Sequence, residues 1–125
     1  MKLLIIEDEK PAYENIAAEL GEIDENIEVV GSCSSVDESI RWFSQNQQPD
    51  LILMDIQLSD GLSFNIFSSC NITCPVIFIT AYDKYLTQAF DYNSIDYLLK
   101  PISQTKLKNS IKKYRSLQHY FVNNH

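Results

Sequence analysis

Histidine is nearly missing from this chain: the two present, His119 and His125, both lie in the last seven residues. A catalytic imidazole or a histidine-built metal site is thereby excluded from residues 1–118. Cysteine is scarce as well. Cys33, Cys70 and Cys74 are an odd set without secretory features, so buried reduced thiols are expected rather than a disulfide framework. A metal clip built on Cys70 and Cys74 lacks nearby partners. No apolar run exceeds four residues, which leaves no transmembrane helix, and Glu7, Asp8 and Glu9 stand where a signal peptide would continue its apolar segment. A cytoplasmic location with no membrane partner is therefore expected. Acidic residues are absent after Asp96, whereas Lys106, Lys108, Lys112, Lys113 and Arg115 crowd one ten-residue segment. Residues 1–100 hold five basic against seventeen acidic groups, a net −12, and residues 101–125 carry +5, giving −7 overall. The main body should repel nucleic acid, and the basic tail reads as a solvated helix face. At 45% hydrophobic and 22% charged residues, the 125-residue chain has the make-up of one folded domain able to bury its own core.

What is present is organised around residues 49–61, PDLILMDIQLSDG. Leu51, Ile52, Leu53 and Met54 form an unbroken apolar run, as expected of a parallel strand buried on both faces. Asp55 follows directly. A carboxylate at the end of a buried strand costs free energy unless it is hydrated, paired or metal-bound, and in open α/β sheets that rim is where ligands bind. Asp60-Gly61 then turns the chain, glycine supplying positive φ. Taken alone, this stretch could equally be a surface loop with a solvated carboxylate, so the other strand ends must decide.

They repeat the pattern. Leu3–Ile6 is a buried run closed by Glu7-Asp8-Glu9. Pro11 suits the first turn of a helix on which Tyr13, Ile16, Ala17 and Leu20 share a face, with Gly21 as its expected end. Residues 27–33 read as a second strand, and Ser35 with Glu38 forms a capping box for a helix that buries Val36, Ile40 and Phe43. Trp42 lies off that stripe and is expected to pack partially. Leu62, Ile66, Phe67 and Cys70 predict a short third helix; Val76–Ile79 is a fourth run, ending in Thr80-Ala81. Asp83 is placed to cap a helix carrying Leu86, Ala89 and Phe90, stopped by Asn93-Ser94. Residues 95–99 make a fifth strand, ending in Lys100-Pro101, and Ser103 caps a last helix with Leu107, Ile111, Tyr114, Leu117 and Phe121 inward.

Five strands alternating with helices imply a parallel sheet with right-handed crossovers, so all five carboxyl ends share one rim. Only the second strand ends without a charged or catalytic-type residue, which places it at an edge. The predicted fold is therefore α/β, flavodoxin-like and doubly wound, with strand order 2-1-3-4-5 and five helices. Glu7, Asp8 and Asp55 then converge. Like charges about 5 Å apart repel by roughly 3 kcal/mol at an effective dielectric of ~20, so the three acids call for a cation. Lys100 supplies one charge, and oxygen ligands of this kind suit Mg²⁺ with phosphate oxygens. A carboxylate can itself accept a phosphoryl group, which makes Asp55 the candidate nucleophile, with Thr80 and Lys100 as phosphoryl ligands.

The set Glu7-Asp8, Asp55, Thr80-Ala81 and Lys100-Pro101 resembles the receiver domain of two-component response regulators over nearly the whole chain. The resemblance implies that Asp55 is phosphorylated by a sensor histidine kinase. It also implies Mg²⁺ held by Asp8, Asp55 and the Gln57 backbone carbonyl, with Glu7 acting through metal-bound water. Tyr97 matches the switch aromatic, linked to movement of the Thr80 hydroxyl, and the bond before Pro101 is expected to be cis. Glu7 departs from the family, where Asp is commoner. DIQLSDGLSF, ITAYDKY and AFDYNSIDYLLKPI are similar to receivers joined to LytTR-type DNA-binding domains, so residues 1–120 would be the receiver and 121–125 a tail or the start of a linker. DNA would then be met only through an output domain outside this sequence. The expected readout is a phosphorylation-dependent homodimer through the face of the fourth helix, fifth strand and fifth helix. No enzymatic turnover is expected beyond the domain's own phosphorylation and dephosphorylation.

Three other readings remain. A haloacid dehalogenase-type phosphatase also uses an aspartyl nucleophile with Mg²⁺, but it carries a second Asp where Gln57 stands. A stand-alone receiver would act by protein contact alone. A pseudo-receiver would need no phosphorylation, against which the intact acids, Thr80 and Lys100 speak.

Overall fold

The computed structural model describes residues 1–124, with side chains through Gln118. Five long strands, β1 (Lys2–Ile6), β2 (Glu28–Cys33), β3 (Leu51–Asp55), β6 (Val76–Thr80) and β7 (Ser94–Leu99), form one parallel sheet in the order β2-β1-β3-β6-β7. Counted among the long strands alone, this is the predicted 2-1-3-4-5. The helices are α1 (Lys10–Ile23), α2 (Val36–Gln45), α3 (Phe64–Ser69), α4 (Leu86–Ala89) and α5 (Gln104–Asn124). None of the described helices is long and apolar enough to cross a membrane.

Strand alternation divides the core into two layers. Leu3, Ile5, Leu51, Leu53, Ile77 and Ile79 point to one face, where Ile16 and Leu20 of α1 and Leu107, Ile111 and Tyr114 of α5 cover them. Leu4, Ile6, Ile52, Met54, Val76 and Phe78 point to the other, under Val36, Ile40 and Phe43 of α2 and Phe64 and Ile66 of α3. Because both faces are covered, the strands read as continuous apolar runs rather than as alternating ones. Cys33 and Cys74 are buried in the second layer and not disulfide-bonded, and burial pushes both thiols up to about 11, so they stay protonated and inert at neutral pH.

Several local expectations give way to tertiary context. Helix α1 runs past Gly21 to Ile23, whose side chain packs on the α1/α5 layer. In α2 the Ser35 hydroxyl accepts the Glu38 N–H as a capping box requires, but the Glu38 carboxylate reaches the Ser34 amide and hydroxyl, one residue earlier than the motif predicts. The turn at Asp60-Gly61 closes a small antiparallel hairpin, β4 (Gln57–Leu58) with β5 (Gly61–Leu62), in which Gly61 takes φ of 143°. Leu62 thus belongs to β5 and not to α3. Helix α4 is a single turn with Tyr85 at its N-cap position; Asp83 gives it only a backbone carbonyl, accepting the Leu86 N–H, and no side-chain cap. Of its three predicted inward residues only Ala89 is buried, while Phe90, 73% exposed, lies just past its end. Ser103 caps α5 through its hydroxyl, as expected. The side chain of Phe121, assigned to the inner stripe of that helix, lies outside the described ones.

Trp42 packs sideways over the edge strand, and this explains a glycine. A Cβ added at Gly31 would sit 2.6 Å from Trp42 Nε1 and 3.2 Å from Leu4 Cδ1. Gly31→Ala should therefore cost about 1–3 kcal/mol by overpacking, read from urea unfolding, with part of the loss restored when Trp42→Phe is added.

Candidate functional site

The parallel register brings the acids together. Ile6 lies opposite Met54 in the β1–β3 ladder, so Glu7 and Asp55, each the next residue, leave adjacent strands at the same level. Both are buried, whereas Asp8, one step further out, is partly exposed. Carboxylate oxygens of Glu7, Asp8 and Asp55 all lie within 4.8 Å of one another, and no other such group of acids, histidines or cysteines occurs among the described residues. Thr80 ends β6 beside β3 and is fully buried. Lys100 leaves β7 and turns back over the rim, and the Lys100–Pro101 peptide that follows is cis.

The Lys100 ammonium fills the space between two of the acids. Its Nζ is 2.6 Å from Glu7 Oε1 and donates to Asp55 Oδ2 at 2.8 Å. The first contact is the shorter of the two and gives the buried Glu7 Oε1 its counter-charge. Burial alone would lower the Lys100 pKa, but the hydrogen bonds and charges of Asp55 and Glu7 outweigh it and raise it, so the ammonium stays charged. Asp8 also moves up from its ordinary value: desolvation, then its hydrogen bond to Glu7 and the Glu7 charge, raise its pKa. Three acids and one ammonium leave a formal −2, and a small divalent cation with oxygen preference would cancel it. The donor set fits: hard oxygens only, on three acids of which two are buried.

Two loops flank this centre. On one side the segment after Asp55 forms the β4–β5 hairpin, and its Asp60 carboxylate reaches 24 residues back to accept the Val36 N–H at 2.7 Å and the Asp37 N–H at 3.0 Å. These are free donors of the first turn of α2, so Asp60 is a helix cap supplied from another element. On the other side lies the β6–α4 loop. The Thr80 hydroxyl oxygen accepts the Tyr82 N–H at 3.3 Å, and the Tyr97 hydroxyl donates to the Tyr82 carbonyl at 2.5 Å. One residue of the loop is thus gripped at its amide by Thr80 and at its carbonyl by Tyr97. The side-chain amide of Gln57 donates to the Tyr85 hydroxyl at 2.8 Å.

A family model for the response regulator receiver domain matches residues 3–112. The chain belongs to that family. Its members serve phosphorylation signalling in two-component systems, where they partner with histidine kinases. The chain is 33% identical over 118 residues to the sensory transduction protein LytT of Bacillus anthracis, covering 92% of this chain and 47% of that protein. It is 35% identical over 117 residues to the transcriptional regulatory protein BtsR of Escherichia coli K12, covering 92% and 48%. This receiver therefore spans about half the length of the curated relatives it matches. Among solved structures, the response regulatory domain of mrkE from Klebsiella pneumoniae superposes with a TM-score of 0.81 at 27% identity, over 96% of this chain and 99% of that one. A receiver domain from Clostridium thermocellum gives 0.79 at 25% identity, over 96% and 98%.

The residues singled out from sequence at the strand ends thus meet at one rim of a receiver fold. Asp60, Tyr82 and Tyr85 were missed as participants. Asp60 carried only a turn signal, Tyr82 takes part through its main chain, which no side-chain pattern announces, and Tyr85 meets Gln57 across 28 residues. The Asp60 cap is open to test. Its hydrogen bonds from the Val36 and then the Asp37 amide hold the carboxyl below its ordinary pKa. The stability it contributes is therefore present above the unfolded value of about 3.9 and is lost as pH falls through the lowered folded value. Asp60→Ala should cost about 0.5–1 kcal/mol near pH 7, and the gap between variant and wild-type urea midpoints should narrow as pH falls below about 3.9.

Proposed function

We propose that Asp55 is the phosphoacceptor of this receiver, taking its phosphoryl group from a phosphohistidine on a sensor histidine kinase. The observation that supports it most is the Lys100 ammonium bridging Glu7 and Asp55 at the end of β3. An Asp55 carboxylate oxygen attacks phosphorus as the phosphorus–nitrogen bond breaks, and the departing imidazole keeps the electron pair and is neutralised by a proton. Lys100 can leave Asp55 for the incoming phosphoryl oxygens without leaving the cluster, since Glu7 still faces it. Thr80 can donate its hydroxyl proton to another phosphoryl oxygen while accepting from the Tyr82 N–H. Asp8, Asp55 and the Gln57 carbonyl would hold Mg²⁺, with Glu7 reached through metal-bound water. Bound there, the ion supplies charge neutralisation and a template for the phosphoryl oxygens. Gln57 ends in an amide tied to Tyr85, which does not suit the second acid of an aspartyl phosphatase.

Intact-mass spectra after incubation with acetyl phosphate and Mg²⁺ should show one phosphate adduct. It should vanish in Asp55→Asn and without divalent metal. An adduct that persists in either case removes the assignment.

The proposed readout runs through Tyr97 to the face of α4, β7 and α5. Leu86, Phe90 and Leu99 are exposed there, and Tyr82 borders it, more aromatic and aliphatic surface than a solvated edge calls for. The face also carries both signs, with Asp96 lining it together with Lys106 and Lys113, so a second copy can offer each a partner. We assign residues 1–120 to the receiver and 121–125 to the start of a linker. Relatives of about twice its length, one of them a transcriptional regulatory protein, support a LytTR-type DNA-binding output domain as its partner. We place it in the cytoplasm, with no turnover beyond its own phosphorylation and dephosphorylation. A receiver acting alone would use the same face. Sedimentation over a concentration series should show the monomer–dimer constant shifting about fivefold or more with beryllofluoride and Mg²⁺, the range of an ordinary coupling energy. An unchanged constant would place the output on another surface.

A further inference from the structure

Helix α4 has little to hold it in place. It is one turn long, its N-cap residue Tyr85 offers no side-chain cap, and Ala89 is its only buried residue. What fixes its first turn is Tyr85 itself. The ring packs edge-on against Phe64 and Tyr82 with centroids 6.2 and 6.4 Å away, Lys84 Nζ lies 5.2 Å above it, and the hydroxyl accepts the Gln57 side-chain amide at 2.8 Å. This last contact spans 28 residues. Among the described residues it is the one side chain–side chain hydrogen bond joining the segment after Asp55 to the loop that leads into α4.

Gln57 stands two residues after Asp55, and its side chain and its main chain face different elements. Rotation of its peptide group, whose carbonyl is the proposed Mg²⁺ ligand, would pull the side-chain amide off Tyr85. Conversely, α4 cannot swing its N-terminus outward without releasing that amide. We propose that Gln57 is a positioning residue: the Tyr85 hydroxyl holds its side chain so that its main chain is set for a divalent cation at the acid cluster, and α4 is ordered in return. The proposal rests on the cation site described above. The Gln57–Tyr85 hydrogen bond itself uses neither the Thr80 hydroxyl nor a β7 group, although the Tyr85 ring also packs on Tyr82. Coupling of this sort is reciprocal, so a contact that strengthens cation binding must also make the cation protect α4.

The test uses Tyr85→Phe, which keeps the ring and its packing and deletes only the acceptor, and Gln57→Met, which keeps the length and deletes the donor. Mg²⁺ affinity is measured by nitrogen-15 NMR titration, and hydrogen exchange of the residue 86–89 amides is followed with and without Mg²⁺. Each variant should bind Mg²⁺ about three- to tenfold more weakly, the range a single neutral hydrogen bond commands, and the double variant should be no weaker than either single one. The Mg²⁺-dependent protection of residues 86–89 should be lost in all three. A purely structural role would lower the urea midpoint and leave the affinity and the protection untouched. Affinities within twofold of wild type, or additive losses in the double variant, overturn the positioning role while wild-type binding leaves the cation site standing. A wild-type chain that fails to bind Mg²⁺ at millimolar concentration removes the cation site and this proposal together.

Discussion

The ammonium of Lys100 between Glu7 and Asp55 is the contact on which the rest of the rim depends. Two acids cannot be buried side by side at the ends of neighbouring strands without a counter-charge, and desolvating an unpaired carboxylate would cost several kcal/mol. The sheet order places β1 beside β3 and so creates the problem. Lys100, arriving from the far side of β6, relieves half of it. The ammonium thereby acts as a resident cation that keeps the cluster folded and can be shared with an anion. Leaving the site at a formal −2 keeps it short of charge, so it holds its geometry and still favours a divalent ion.

Much of this was legible in the sequence because parallel strands announce themselves. The runs Leu3–Ile6, Leu51–Met54 and Val76–Ile79 are too apolar for half-exposed strands, and each is followed by a polar group that only a rim can tolerate. The edge place of β2 followed from its uncharged end. What was not legible is tertiary. A two-residue strand such as β4 has no periodicity to read. The spacing of Leu86, Ala89 and Phe90 fits a helix, but α4 stops after one turn and leaves two of the three exposed. Gly21 reads as a stop, yet nothing lies near its Cβ position, and Ile23 beyond it has a core to enter. Asp60 and Tyr85 find their partners 23 to 28 residues away, at distances no local pattern encodes.

The loops on the two sides of the acid cluster are held in different ways. The Asp60 side is anchored to α2, whose first-turn amides it satisfies, and that helix is backed by the sheet. The Tyr82 side ends in a helix of one turn with an open apolar flank. A perturbation at Asp55 therefore meets a stiff wall toward α2 and a yielding one toward α4, and displacement follows the softer direction. The fold thus gives the site a preferred direction of response without any dedicated hinge.

Helix α5 adds a mechanical consequence. Its inner half is clamped to the sheet by Leu107, Ile111 and Tyr114, while its backbone continues to Asn124. The ten residues from Tyr114 to Asn124 span about 15 Å at the usual rise per residue. Pivoted at that clamp, a tilt of about 10° carries the far end sideways by about 3 Å over that 15 Å arm. Leu107, on the inner side of Tyr114, moves the opposite way by about 2 Å in the same tilt. The helix is a lever with its fulcrum in the core and its longer arm outside, so a shift beside β7 is carried beyond the sheet to the tip.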